Sequence, residues 1–149
     1  MSAAVVVGVS PTTGSPSALR WAAEEARLRG LALRAVMAWR IPRTGGVPGG
    51  RPPTMAASTT SDYQTAAEQT LRGYVSDSLG TDSAVECTVV KGSAVHALLT
   101  AARGAQLLVV GEPRFGRLNT VRASLVAPQL VHKAGCPVVV MPATAPRTA

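Results

Sequence analysis

Aromatic residues are scarce in this sequence: Phe, Tyr and Trp together make up 3% of its 149 residues. No run of basic residues and no known nucleic-acid motif compensates for them, although the net charge is +7. Proteins hold single-stranded nucleic acids largely by stacking the bases on aromatic rings. Because the sequence lacks such a platform, we do not expect nucleic acid as a partner.

Cysteine is also rare. The two cysteines, Cys87 and Cys136, are too few for a disulfide framework or a cysteine-based zinc site, and we expect two reduced, buried thiols. The histidines His96 and His132 have no Cys, Asp or Glu cluster at ligand spacing. Neither histidine belongs to a Ser/Asp pattern typical of a triad. The sequence therefore predicts no metal site, no catalytic residue and no dedicated enzyme.

Long apolar runs are missing as well. Although 46% of the residues are hydrophobic, no stretch of about 18 consecutive apolar residues occurs. The apolar start of the chain has neither a basic leader nor a cleavage site for a signal peptide. These features predict a cytoplasmic protein that makes no membrane contact.

Acidic residues are absent from the last quarter of the sequence. No Asp or Glu follows Glu112, whereas five basic residues do: Arg114, Arg117, Arg122, Lys133 and Arg147. Such a basic region is either a solvated surface or a local anion site. Both interpretations remain open at this point.

What the sequence does contain is a regular alternation of apolar strands and capped helices. Strands are predicted over Ala3–Val9, Leu31–Trp39, Ala84–Val90, Gln106–Val110 and Val138–Met141, and helices over 16–29, 63–79, 94–103 and 123–134. Ser15, the pair Ser61-Asp62 and Ser93 are the expected helix caps. This alternation predicts an α/β protein: a three-layer sandwich of a five-stranded parallel sheet with helices on both faces.

Residues 40–60 have a different composition from the rest. They contain four glycines and four prolines, which predicts a flexible loop. The remaining length suits one domain, since a chain of about 150 residues buries a full core. We expect that domain to cover residues 1–142, with 143–149 as a frayed tail.

Six segments, in this order and spacing, resemble the universal stress protein family. They are VVVGVS (5–10), ALRWAAEEARLRG (18–30), LRAVMAW (33–39), GSAVHALLTAA (92–102), AQLLVVG (105–111) and LVHKAGCPVVVMP (130–142). The segment 18–30 and the ending GCPVVVMP are especially similar to actinobacterial members. The resemblance covers nearly the full length and implies the sheet order 3-2-1-4-5 and frequent homodimers.

The resemblance also implies a place where ATP binds in many members, through the pattern G-x2-G-x9-G-S/T after the fourth strand. Here the pattern starts at Gly111, and its other three specified positions hold Arg114, Ser124 and Leu125, so only the first matches. The acidic residue that ATP-binding members tend to carry after the first strand corresponds to Ser10. The adenine-side backbone position corresponds to about Ala38.

The candidate nucleotide or anion site thus consists of residues at the carboxyl ends of strands, where parallel sheets bind ligands, and of residues in the segment that follows the fourth strand. Its members are Ser10, Ala38, Gly111, Arg114, Gly116, Arg117, Ser124, Leu125 and Val126. Three functions fit them. The first is a stress-response, signalling or adaptor protein with weak or absent ATP binding and no cofactor. The second is an ATP- or AMP-binding protein, with Mg²⁺, that uses arginines in place of glycines. The third is a weak ATP hydrolase.

The last predicted strand is apolar on both faces. The implied sheet order places it at an edge, where an apolar strand tends to pair with another chain unless it is covered. We therefore expect a homodimer, with Val138, Val139, Val140 and Met141 at the interface.

Overall fold

A single parallel sheet organises the protein in the computed structural model, which describes residues 3–42, 59–111 and 126–142. Its strands are β1 (Ala4–Gly8), β2 (Ala32–Trp39), β3 (Val85–Lys91), β4 (Leu107–Gly111) and β5 (Val138–Met141). The helices of the described residues are α1 (Pro16–Arg29), α2 (Thr60–Leu79), α3 (Ala94–Ala101) and α4 (Val126–Lys133). The strands follow the order β3-β2-β1-β4-β5, and every neighbouring pair is parallel. The predicted fold class and strand order are confirmed.

Two apolar layers enclose the sheet, one on each face. On one face, Leu19 of α1 and Leu71 of α2 are fully buried against Val5 and other strand residues. On the other face, Leu98 of α3 and Leu130 of α4 belong to a second buried cluster. Alternate residues of a strand point to opposite faces. The central strands β1 and β4 therefore contribute side chains to both layers and consist almost entirely of buried aliphatic residues.

The predicted beginning of α2 is corrected by three residues, from Tyr63 to Thr60. Thr59 is the cap, rather than Ser61-Asp62, and its hydroxyl accepts the N–H of Asp62 at 3.2 Å. The Asp62 carboxylate in turn accepts the N–H of Thr59 at 2.8 Å, which completes a capping box and lowers the pKa of Asp62. The sequence pattern missed this reciprocal pair because Asp62 also qualifies as a cap itself.

Removing the hydroxyl of Thr59 should weaken α2. We expect Thr59→Ala to lower the free energy of unfolding by roughly 0.5–2 kcal/mol, since an N–H at the helix start loses its acceptor. Thr60→Ala, one residue further along, is the matched control, because Thr60 already lies inside the helix. Urea denaturation of both variants measures the difference. Equal unfolding midpoints would contradict the role given to Thr59.

Other predicted boundaries agree within a few residues. Helix α1 ends at Gly30, whose left-handed φ of 66° matches the predicted glycine stop. Helix α3 is shorter than predicted and ends at Ala101, because the following residues tighten into turns instead of continuing the helix. The predicted last helix is described from Val126. Its first predicted residues, most of the 40–60 loop and the 143–149 tail lie outside the described residues.

The two cysteines are only partly as expected. Both are free thiols, but each is half-buried instead of fully buried, and burial raises the pKa of both. Within residues 3–42, 59–111 and 126–142, no group of three or more His, Cys, Asp or Glu is placed to hold a metal ion. Over the same ranges, no helix combines the length and the apolar character needed to cross a membrane.

Candidate functional site

The candidate site lies at the carboxyl edge of the sheet, between β1 and β4. These two strands are neighbours, and the chain leaves them in opposite directions across the sheet. In an open parallel sheet such a reversal leaves a crevice where ligands bind. Ser10 follows β1 at this edge, and Gly111 is the last residue of β4.

The loop Ser10–Ser15, which joins β1 to α1, lies against the end of β4. A Cβ added to Gly111 would lie 3.5 Å from the Oγ of Ser15. The same Oγ accepts the N–H of Ser10 at 3.0 Å. The structure therefore places Ser10 and Gly111 near each other, and Ser15 is the residue that lies beside both.

The N–H groups of this loop are used within the loop. Beside the Ser10–Ser15 bond, the Oγ of Ser10 accepts the N–H of Thr12 at 3.3 Å and that of Thr13 at 3.4 Å. The N–H of Gly14 donates to the carbonyl of Ser10 at 2.9 Å, and that of Ser15 to the Oγ1 of Thr13 at 3.3 Å. The residue between Ser10 and Thr12 is a proline, which has no N–H. A phosphate placed here would have to compete with these internal acceptors.

Ser15 occupies the predicted cap position of α1 but does not act as a capping side chain. Its hydroxyl makes no bond to the helix and points back to Ser10 instead. Its backbone is left-handed, with φ 46° and ψ 52°, a conformation that costs a non-glycine residue roughly 1–2 kcal/mol. The bond from Ser10 helps to hold this strained conformation, and it could not have been inferred from the residue types alone.

The adenine-side position predicted at Ala38 lies in β2, half-buried and one residue before the strand ends. Beyond it the edge is positive. The Nζ of Lys91, at the end of β3, lies 5.9 Å from the ring centroid of Trp39, and the Nε of Arg40 donates to the carbonyl of Gly92 at 3.4 Å. Sequence reasoning missed Arg40 and Lys91. Their positions at the ends of two adjacent parallel strands were the available signal.

Part of the predicted site lies outside the described residues. This applies to Arg114, Gly116, Arg117, Ser124 and Leu125. Val126 is described as the first residue of α4. It packs against the apolar layer that contains Leu98 of α3, so its side chain has a structural role in the core.

Strand β5 lies at the edge of the sheet, as expected, and pairs with β4. Val139 and Met141 pack towards the layer of α1 and α2, whereas Val138 packs towards that of α3 and α4. Val140 remains 36% exposed. The strand is therefore apolar on both faces and only partly covered within the described part of the chain.

Known proteins resemble the chain over nearly its whole length. The model of the Universal stress protein family matches residues 1–142. A universal stress protein of Mycolicibacterium smegmatis is 33% identical over 141 residues, which make up 92% of this chain and 47% of that protein. The chain thus spans about half the length of the curated relatives it matches.

Solved structures show the same fold. The crystal structure of a universal stress protein in complex with cAMP has a TM-score of 0.64 at 19% identity, covering 94% of this chain and 97% of the other. A universal stress protein family protein from Arabidopsis thaliana with AMP bound has a TM-score of 0.57 at 16% identity, covering 99% and 96%. At such identities the likeness concerns the fold.

Proposed function

The chain belongs to the universal stress protein family, and from that premise we propose that it is a cytoplasmic stress-response or adaptor protein that binds ATP weakly or not at all. The observation that carries the proposal is the altered loop after β4. Of the four specified positions of the family's ATP pattern, only Gly111 matches. Arg114 places a long side chain where glycine lets the backbone approach phosphate, and Leu125 replaces a hydroxyl donor.

The size of the expected loss follows from ordinary hydrogen bonds. Losing two or three contacts at about 1–1.5 kcal/mol each weakens binding roughly 30-fold to 1000-fold. The position after β1 adds to this loss of affinity, because Ser10 occupies the place where ATP-binding members tend to carry a carboxylate. Its hydroxyl already accepts the N–H groups of Thr12 and Thr13.

The proposal is tested by calorimetric titration of the purified protein with Mg-ATP at near-physiological salt. We expect weak or undetectable binding, because both ends of the site lack the groups that would hold the phosphates and the ribose. Denaturing the protein as purified and analysing the supernatant by mass spectrometry checks whether a nucleotide is already bound. A dissociation constant in the low micromolar range, or co-purifying ATP, would contradict the proposal.

A second candidate is nucleotide binding in which cations replace the glycine loop. It is supported by the relatives solved with cAMP and AMP, and by Arg40 and Lys91 at the described carboxyl edge. Arg114 and Arg117 would add charge-assisted bonds to an anion. Under this alternative AMP or ATP should bind measurably, and a phosphate-release assay then separates plain binding from slow hydrolysis.

We also propose that the protein forms a homodimer through β5. The two edge strands of the sheet differ in the number of charged residues that they carry. The edge strand β3 carries two exposed charged residues, Glu86 and Lys91, and charged residues discourage pairing at an edge. Strand β5 is Val-Val-Val-Met, with no charge to prevent pairing. A two-fold partner is the commonest cover for such a strand.

A further inference from the structure

Helix α2 reaches across to the loop Ser10–Ser15 through the side chain of Tyr74. The Tyr74 hydroxyl donates to the carbonyl of Pro11 at 2.8 Å, joining residues that are 63 positions apart. The contact links the long helix on one face of the sheet to the loop beside the candidate site.

The ring of Tyr74 also fixes the shape of the loop at Gly14. A Cβ at residue 14 would lie 2.7 Å from the Cγ and 2.8 Å from the Cε1 of that ring, distances that real Cβ atoms do not adopt. Gly14 also has a φ of 74°, in the region that favours glycine. The ring therefore packs directly on the backbone of the loop, and the next residue is the strained Ser15.

We propose that Tyr74 is a positioning residue for the candidate site, holding the Ser10–Ser15 loop in the conformation that sets it against the end of β4. Its hydroxyl fixes one point of the loop at Pro11, and its ring supports a second at Gly14. Held at these two points, the loop keeps the Oγ of Ser15 beside both Ser10 and Gly111. Helix α2 thereby sets the shape of this side of the crevice.

The importance of Tyr74 for ligands rests on the second candidate function proposed above, because it assumes that the carboxyl edge binds a nucleotide. Its effect on the loop does not, and can be measured without a ligand. Two amides report on the loop: that of Ser10, bonded to Ser15, and that of Gly14, bonded to the carbonyl of Ser10. The amide of Leu108, bonded to the carbonyl of Pro137, reports on the sheet.

The test is amide hydrogen exchange, resolved by residue, in Tyr74→Phe. This change removes the hydroxyl and keeps the ring. Losing one hydrogen bond should speed exchange at Ser10 and Gly14 by about 3- to 10-fold and leave Leu108 unchanged. Tyr63→Phe is the matched control, since it makes the same change at the other tyrosine of the chain, near the start of α2. We expect it to alter none of the three amides.

Two results of this experiment would overturn the proposal. One is unchanged exchange at Ser10 and Gly14 in Tyr74→Phe. The other is equal acceleration at Leu108, because Tyr74 would then support the whole fold and not the loop in particular.

Titration with AMP supplies a second measurement. If the wild type binds AMP, Tyr74→Phe should weaken binding by a similar factor, whereas Tyr63→Phe should not. Equal AMP affinity of Tyr74→Phe and wild type would contradict a positioning role at the site. A wild type that binds no AMP would count against the second candidate function alone, and the exchange result then decides the role of Tyr74.

Discussion

The Val140→Lys variant should elute as a monomer of about 15.3 kDa, whereas the wild type should have about twice that mass at tens of micromolar protein. Val140 lies on the edge strand β5 and is 36% exposed, so a lysine there can remain solvated in the monomer. In a dimer paired through β5, the same lysine would be buried without a partner for its charge. Burying an unpaired ammonium costs far more than one apolar contact contributes, so we expect the dissociation constant to rise by several orders of magnitude.

The control for this variant is Leu28→Lys. Leu28 is an aliphatic residue of α1 that is 64% exposed, and it lies outside β5. It should leave the dimer intact, because the same change of charge occurs away from the proposed interface. Light scattering coupled to size exclusion measures all three masses. A monomeric wild type, or a dimeric Val140→Lys variant, would refute the proposed interface.

Rebuilding the family pattern should raise the affinity for ATP above that of the wild type. We expect the combined change Arg114→Gly, Ser124→Gly and Leu125→Ser, with Ser10→Asp, to tighten Mg-ATP binding by about 30- to 1000-fold. The glycines would let the backbone approach the phosphates, and the serine would restore a hydroxyl donor. An aspartate at position 10 can still accept the N–H groups of Thr12 and Thr13 while offering a second oxygen to the ligand.

Arg122→Gly is the matched control for the rebuilt loop. It removes an arginine from the same segment at a position that the family pattern does not specify. Calorimetry should show no gain in ATP affinity for this variant. If it improves binding as much as the rebuilt loop does, repulsion or crowding by arginines in general is the cause, and the specified positions are not.

The fold could be predicted because its signals are local and repeated. The aliphatic strand runs and glycine stops such as Gly30 each predict their own element, and their alternation predicts the parallel sheet. The start of α2 was predicted wrongly because both Thr59 and Asp62 are residue types that can cap a helix. There the capping box depends on which residue accepts from which, and either residue type fits both roles.

The candidate site could be predicted only in outline. Ser10 and Gly111 were assigned to one site because the resemblance places the family's nucleotide contacts after the first and at the end of the fourth strand. The direction of the Ser15 hydroxyl and the contact of Tyr74 with Gly14 were not predictable, since both depend on side-chain placement between distant segments. The proximity of Arg40 and Lys91 was not predictable from residue types, because it depends on the register that pairs Trp39 with Lys91 at the ends of β2 and β3.

The adjacency of β1 and β4 also governs the order in which the protein can be completed during synthesis. Val5 pairs with Leu107, so the central strand acquires its second neighbour only after most of the chain has left the ribosome. Contacts between segments so far apart in sequence form late and slowly. Until then an aliphatic strand destined for burial on both faces has one open side, the kind of surface on which nascent chains aggregate or recruit chaperones.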